Sequence, residues 1–246
     1  MVENSFSSSS RGASPAPRKS RVHFLNPTVR LEIEAVKAAL HWRDRPGAAE
    51  ELAGLIREAE ALIAPEAAYK VAYLESKDDD AVTIQGVTFP SRVLRQNLDR
   101  VERVFPYIIT IGPALEKHAG ETGDPLKQYY LEGLADLSLG QTARALEENL
   151  KRRHGLAGLS SMSPGSLEDW PISQQLPLFS LFEEGERPVR VRLNEHLLMV
   201  PRKSISGIFF PTEVSFQSCQ LCPRRDCHGR RAAFDKDIRR KFKLED

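Results

Sequence analysis

The stretch Asn194-Glu195-His196-Leu197-Leu198-Met199-Val200-Pro201-Arg202-Lys203-Ser204-Ile205-Ser206-Gly207 joins an apolar, strand-like run to a Ser-x-Ser-Gly element that reads as a turn. A turn of this kind offers backbone donors to a ligand. Ser204 and Ser206 alternate with Ile205, so one strand face should present hydroxyls while the other enters a core. The pattern predicts a cleft at Ser204, Ser206 and Gly207, with Lys203 beside it to neutralise a ligand carboxylate. Met199 reads as core, and His196, in the strand leading to the motif, reads as a structural histidine.

Some thirty residues upstream stands Ser163-Pro164-Gly165, followed by Trp170-Pro171 and Gln174-Gln175. Gly165 would let a ligand approach the main chain, Pro164 would fix the entry to the turn, and Ser163 adds a polar edge. Trp170 is either a flat apolar wall for a planar ring of a ligand or a buried structural side chain.

The two segments in this order resemble the activation domain of vitamin B12-dependent methionine synthase. In that family an Arg-x-x-x-Gly-Tyr loop holds S-adenosylmethionine, and a Met-x-Pro-x-x-Ser-x-Ser-Gly run lies beside it. Met199, Pro201, Ser204, Ser206 and Gly207 match the second motif position by position, and Gly165 matches the glycine of the first. Ser161 stands at its arginine position and Ser166 at its tyrosine position. The resemblance covers roughly residues 80 to 215. It implies an α+β fold with a mixed or antiparallel sheet flanked by helices, and S-adenosylmethionine held at Ser163, Pro164, Gly165, Trp170, Lys203, Ser204, Ser206 and Gly207.

The same resemblance implies reductive reactivation of a cobalamin- or corrinoid-dependent methyltransferase of the methionine synthase kind, hence a place in methionine biosynthesis. The chain lacks the Asp-x-His-x-x-Gly corrinoid-binding signature, so cobalamin would ride on a separate methyltransferase partner. The alternative is a non-catalytic accessory or electron-transfer protein that docks a corrinoid protein through the same cleft. No nucleophile–base–acid arrangement, phosphate loop or zinc-hydrolase histidine pattern stands out, so any chemistry would be carried by cofactors.

Working outward, the organisation reads as a disordered tail over 1–20, an N-terminal helical extension over 21–66, an activation-domain-like core over 67–215, and a Cys-rich tail with a basic helix over 216–246. The tail is Ser-, Pro- and Ala-rich, as in Ser7-Ser8-Ser9-Ser10, with too little apolar surface to offset ordering entropy. Ile33, Val36 and Leu40, then Leu52, Leu55, Ile56, Ala59 and Leu62, mark two packing helices. Ala68 to Leu74, Ala81 to Phe89 and Val104 to Ile111 read as strands, and Ser91 to Leu98 as a helix. Asp124-Pro125 opens a long helix towards Arg152, on which Glu132 and Asp136 sit one turn apart as an acidic stripe or a carboxylate pair. Ile172 to Phe182 reads as helix and Val189 to Leu193 as strand.

Cys219-Gln-Leu-Cys222-Pro-Arg-Arg-Asp-Cys227-His228 is the second signal, since three closely spaced thiolates can wrap one soft metal. Zinc would take His228 as a fourth ligand, although adjacent Cys227 and His228 side chains diverge; an iron–sulfur cluster would take its fourth ligand from elsewhere. Arg224, Arg225, Arg230 and Arg231 would lower the thiolate pKa values and raise a cluster's potential. A redox centre there would admit electrons from a donor protein to cobalt; a structural knuckle would merely pin a basic helix over Arg230 to Lys243, with Phe234, Ile238 and Phe242 on one side.

The chain has 246 residues and a net charge of +1, which argues against a nucleic-acid partner of the simplest basic kind. No apolar run approaches the roughly 18–20 residues that span a bilayer, and no signal-peptide core opens the chain. Three clustered cysteines fit a reducing compartment, so the expected location is cytoplasmic.

Overall fold

The computed structural model describes residues 20–43, 45–183, 189–213, 216, 218–225 and 232–242. Its elements in chain order begin with β1 (Val22–Leu25), α1 (Ile33–Leu40), α2 (Ala48–Leu62), β2 (Glu66–Lys70), β3 (Ala72–Lys77), β4 (Ala81–Ile84) and β5 (Val87–Pro90). There follow α3 (Arg92–Asn97), β6 (Arg103–Thr110), α4 (Ala114–Glu121), α5 (Pro125–His154) and β7 (Leu159–Met162). A 3₁₀ turn at Ile172–Gln174 leads into α6 (Gln175–Ser180), and the hairpin β8 (Arg192–Leu193) with β9 (Met199–Val200) precedes β10 (Ser204–Pro211) and α7 (Lys236–Lys241).

β6 is the axis of the main sheet. On one edge it pairs antiparallel with β2 and β3, on the other with β10, and β10 in turn pairs with β7. Every strand pair among the described residues is antiparallel. β6 is almost wholly apolar because both of its faces are covered. Val104 and Ile108 pack into one core with Phe89, Trp170, Leu178 and Ile208, whereas Phe105, Tyr107 and Ile109 face Leu146, Leu150 and Phe209 on the opposite side. The period of two along the strand thus feeds two cores from one segment.

α5 covers the second face. Asp124 caps its first turn by accepting from the Leu126 and Lys127 backbone amides at 2.9 and 3.2 Å, with Pro125 at the first helical position. Gly155 closes it after a last turn in which Lys151, Arg152 and Arg153 put positive charge at the negative end of the helix dipole.

Several sequence expectations change here. Residues 21–66 are not a separate helical extension: β1 pairs with β2, and α1 and α2 share a core with α4 and α5 through Val36, Leu52, Ile56, Leu115 and Leu131. The run from Ala81 to Phe89 is a hairpin, with Gln85–Gly86 as its two-residue turn. Val189 to Leu193 contributes only a two-residue strand. The Asn194–Leu198 stretch is a hairpin loop rather than a strand: Asn194 Oδ1 accepts from the His196 and Leu198 amides, both at 2.9 Å, and leaves His196 exposed. The Ser-x-Ser-Gly element is not a turn but the body of β10, since Ser204, Ser206 and Gly207 all find strand partners in β6. Alternating hydroxyl and apolar residues followed by Ile208-Phe209-Phe210 make one continuous pleat. Residues 1–19, which hold nearly all of the predicted tail, and Cys227, His228, Arg230, Arg231 and Lys243 lie outside the described residues.

Candidate functional site

A groove of about 830 Å³ runs between α5 and the sheet. Its floor is the odd-numbered face of β10 and β7 together with β6: Ile205, Phe209, Leu159, Ser161 and Tyr107. Its wall is one face of α5, carrying Glu132, Asp136, Gly140, Arg144 and Glu147, which recur every three or four residues.

Gly207 explains why this floor is flat. A Cβ there would lie 2.4 Å from the Met162 carbonyl oxygen and 2.8 Å from both Ser163 Oγ and the Tyr107 hydroxyl. Only glycine lets β7 and the Tyr107 phenol come this close. The Tyr107 ring then lies along the sheet and stacks on Phe209, with centroids 4.4 Å apart and planes 29° apart. Both rings are nearly buried in the core they share with Leu146 and Leu150, so they form the packed floor beneath the groove and expose little surface to it.

At one end of the groove an ion cluster fixes the loop before β10 to α5. Lys203 Nζ donates to Asp136 Oδ1 at 2.6 Å and to the Glu132 carbonyl at 3.3 Å, and lies 2.8 Å from Glu132 Oε2. Arg202 also pairs with Glu132, and its Nε stands 3.5 Å from Glu116 Oε1. Burial pushes the Glu132 carboxyl up, but hydrogen bonds from Lys203 and Arg202 outweigh it and hold the group below the usual carboxylate range. At the other end Lys151 pairs with Glu147 at 2.6 Å.

The predicted residues are distributed differently from expectation. Ser204 and Ser206 do not face a cleft; both are buried on the even-numbered face of β10, the opposite of the predicted arrangement. Ser204 Oγ donates to the Pro201 carbonyl at 2.7 Å and lies 3.0 Å from Thr110 Oγ1, while Ser206 Oγ is buried without a hydrogen-bond partner among the described residues. It is Ile205 and Gly207 that face the α5 side. Lys203 is buried and its three ammonium donors are directed at Glu132 and Asp136, so it neutralises carboxylates of the protein rather than a ligand. Glu132, mostly buried, and Asp136, exposed at the rim, accordingly form one ion cluster with Lys203.

Trp170 is fully buried and meets Phe89 edge-on at 6.2 Å. It exposes no ring face, so the structural reading of this side chain holds and the ligand-wall reading falls. Gly165 has φ +81° and its amide donates to the Trp170 carbonyl at 2.7 Å; Pro164 is buried, and Ser163 contributes its hydroxyl next to Gly207. The Ser163–Gly165 loop therefore borders the floor through Ser163, while Gly165 serves the turn itself, packed under Ile172.

Sequence reasoning missed Tyr107, Phe209 and Arg144, and singled out Ser161 only as the residue at the family's arginine position. The signal was available in part: Phe209 shares the parity of Gly207 on β10, and Arg144 shares a helix face with Gly140. Tyr107 could not be placed beside them without knowing the β6–β10 register.

Cys219 and Cys222 are partly exposed and lie in one tight turn, with the Cys222 amide donating to the Cys219 carbonyl at 3.3 Å. Among the described residues no group of three or more metal-ligating side chains comes together. The pair supplies two thiols of the predicted set, Cys227 and His228 lie outside the described residues, and no step is assigned to zinc or an iron–sulfur cluster. Among the described residues no helix is long and apolar enough to cross a membrane.

No protein-family model matches the sequence, and no curated protein matches it. Among solved structures, the crystal structure of the MetH reactivation domain bound to AdoHcy is similar with a TM-score of 0.52 at 14% identity, over 87% of this chain and 86% of that chain. That coverage is a larger share than residues 67–215 comprise, so the likeness extends beyond the core expected from sequence. The chain has the α+β fold of that reactivation domain, an antiparallel sheet flanked by helices.

Proposed function

We propose that this chain binds S-adenosylmethionine or its demethylated product in the groove between α5 and the sheet, and serves the reactivation of a corrinoid-dependent methyltransferase carried on a separate protein. The observation that carries the reading is the groove of about 830 Å³ between α5 and the sheet, with an apolar floor packed tightly at Gly207 and a wall of charged α5 residues. Its size falls within the roughly 300–1,000 Å³ of small-molecule sites. The apolar floor suits the adenine ring, and Arg144, which has no ion-pair partner among the described residues, suits an anionic group on the ligand. Similarity in fold to a domain whose structure holds AdoHcy supports the same ligand class.

S-adenosylmethionine would supply the methyl group, passing it from its sulfonium to a cobalt centre that has first gained one electron. This chain contributes position: the sheet floor of the groove bounds the adenine, the α5 wall sets the orientation of the aminoacyl end, and the Lys203 cluster keeps that wall at fixed distance from the sheet. No side-chain nucleophile is required.

The test is a reactivation assay with a corrinoid methyltransferase held in its inactive cobalt(II) state, a one-electron reductant and S-adenosylmethionine. Formation of methyl-corrinoid that depends on this chain supports the reading. Binding of the corrinoid protein with no dependence of methylation on S-adenosylmethionine would favour the docking-accessory alternative, for which the uncharged Ser161 in the groove is the relevant observation.

A further inference from the structure

We propose that Arg144 is the anion anchor of the groove, holding the carboxylate of a ligand that carries an α-amino acid group. The inference rests on the ligand reading above and adds the residue that recognises the aminoacyl end.

The argument is an account of the charges that line the groove. Glu132 and Asp136 are engaged by Lys203, at 2.8 and 2.6 Å, and Glu147 is engaged by Lys151 at 2.6 Å. Lys203 has no donor to spare, and Arg202 is committed to Glu132 and Glu116. Arg144 is exposed, lines the groove, and has no ion-pair partner among the described residues. The facing strand β7 offers Ser161, a neutral residue. A ligand carboxylate in this groove therefore meets one uncommitted cation, and a guanidinium is the side chain best shaped to hold it through two parallel hydrogen bonds.

Two neighbours make the site more specific than a surface arginine. Gly140, one turn before Arg144, presents no side chain, and a Cβ there would meet nothing within 4 Å, so the space next to the guanidinium is open. Glu147 lies three residues further along the same helix face and also lines the groove. Lys151 engages Glu147 through Oε1 alone, so Oε2 is left to accept from the ammonium of an amino acid zwitterion whose carboxylate Arg144 holds.

Calorimetric titration of the wild-type protein and Arg144→Ala with AdoHcy and with 5′-methylthioadenosine, which lacks the amino acid, tests this directly. Alanine keeps the exposed helix position intact. The expected result is AdoHcy binding weakened about tenfold to a hundredfold in Arg144→Ala, methylthioadenosine binding unchanged, and partial recovery of AdoHcy binding in Arg144→Lys. Equal AdoHcy affinity in wild type and Arg144→Ala overturns the anchor while leaving the groove reading intact, and parallel loss of both ligands also overturns it. Absence of AdoHcy binding by the wild-type protein overturns the groove reading and the anchor together.

Discussion

Lys203 Nζ lies 2.6 Å from Asp136 Oδ1, joining the start of β10 to the middle of α5 across one end of the groove. The lysine side chain is only 9% exposed, so its charge depends on Asp136 and Glu132 for compensation. Lys203→Ala removes the cation shared by Asp136 and Glu132, leaving Glu132 with Arg202 alone, and should destabilise the fold by roughly 1–2 kcal/mol. Urea denaturation of the variant checks the figure; a loss below about 0.5 kcal/mol would show the cluster to be peripheral.

Glu132 gives this cluster a pH dependence. Its folded-state pKa lies below the unfolded value of about 4.3, so the ionised carboxylate contributes stability above that pH. The contribution disappears as pH falls through the folded pKa. Glu132→Gln should therefore be less stable than wild type at neutral pH and converge on it in acid. Melting temperatures measured from pH 7 down to about 3 should show the two curves closing; a constant offset would contradict the assignment.

Two glycines should respond oppositely to alanine. At Gly207 the new methyl group meets the Met162 carbonyl oxygen at 2.4 Å, and the neighbouring backbone has to move, at a cost of about 1–3 kcal/mol. At Gly140, inside α5 with open space around it, alanine should stabilise by roughly 0.5–1 kcal/mol through helix propensity. Denaturation midpoints of the two variants, measured side by side, decide whether Gly207 is held by packing.

Trp170 is assigned to the core and not to the ligand. Trp170→Ala should cost about 3–5 kcal/mol, whereas Trp170→Phe should keep AdoHcy affinity within about twofold of wild type. A marked loss of affinity in a folded Trp170→Phe protein would return the ring to the binding site.

The long helix, the β6 strand and the match to the two-motif pattern were legible in the sequence because each is a local feature: a cap and a proline at Asp124–Pro125, an uninterrupted apolar run, and fixed spacings at Met199 to Gly207. The roles within the second motif were not. Hydroxyls at Ser204 and Ser206 suggested an exposed face, but the sheet buries them and turns Ile205 and Gly207 towards α5, because β10 lies between β6 and β7 with both faces covered. A strand's period of two shows which residues share a face and says nothing of which face meets the ligand. The same limit hid the groove. Tyr107 comes from β6, Phe209 from β10 and Arg144 from α5, and they converge only through register and helix packing. Lys203 looked available from sequence for the converse reason, since its partners Glu132 and Asp136 lie some seventy residues away.

The groove itself can be closed without disturbing what surrounds it. Gly140→Leu places a side chain where a Cβ meets no atom within 4 Å, so the helix should hold while the space beside Arg144 fills. Calorimetric titration of wild type and Gly140→Leu with AdoHcy is the most direct test of ligand binding in this groove. Saturable one-site binding by wild type, lost in Gly140→Leu with an unchanged far-ultraviolet circular dichroism spectrum, is the predicted result. Binding of AdoHcy to both proteins with equal affinity, or to neither, would contradict it.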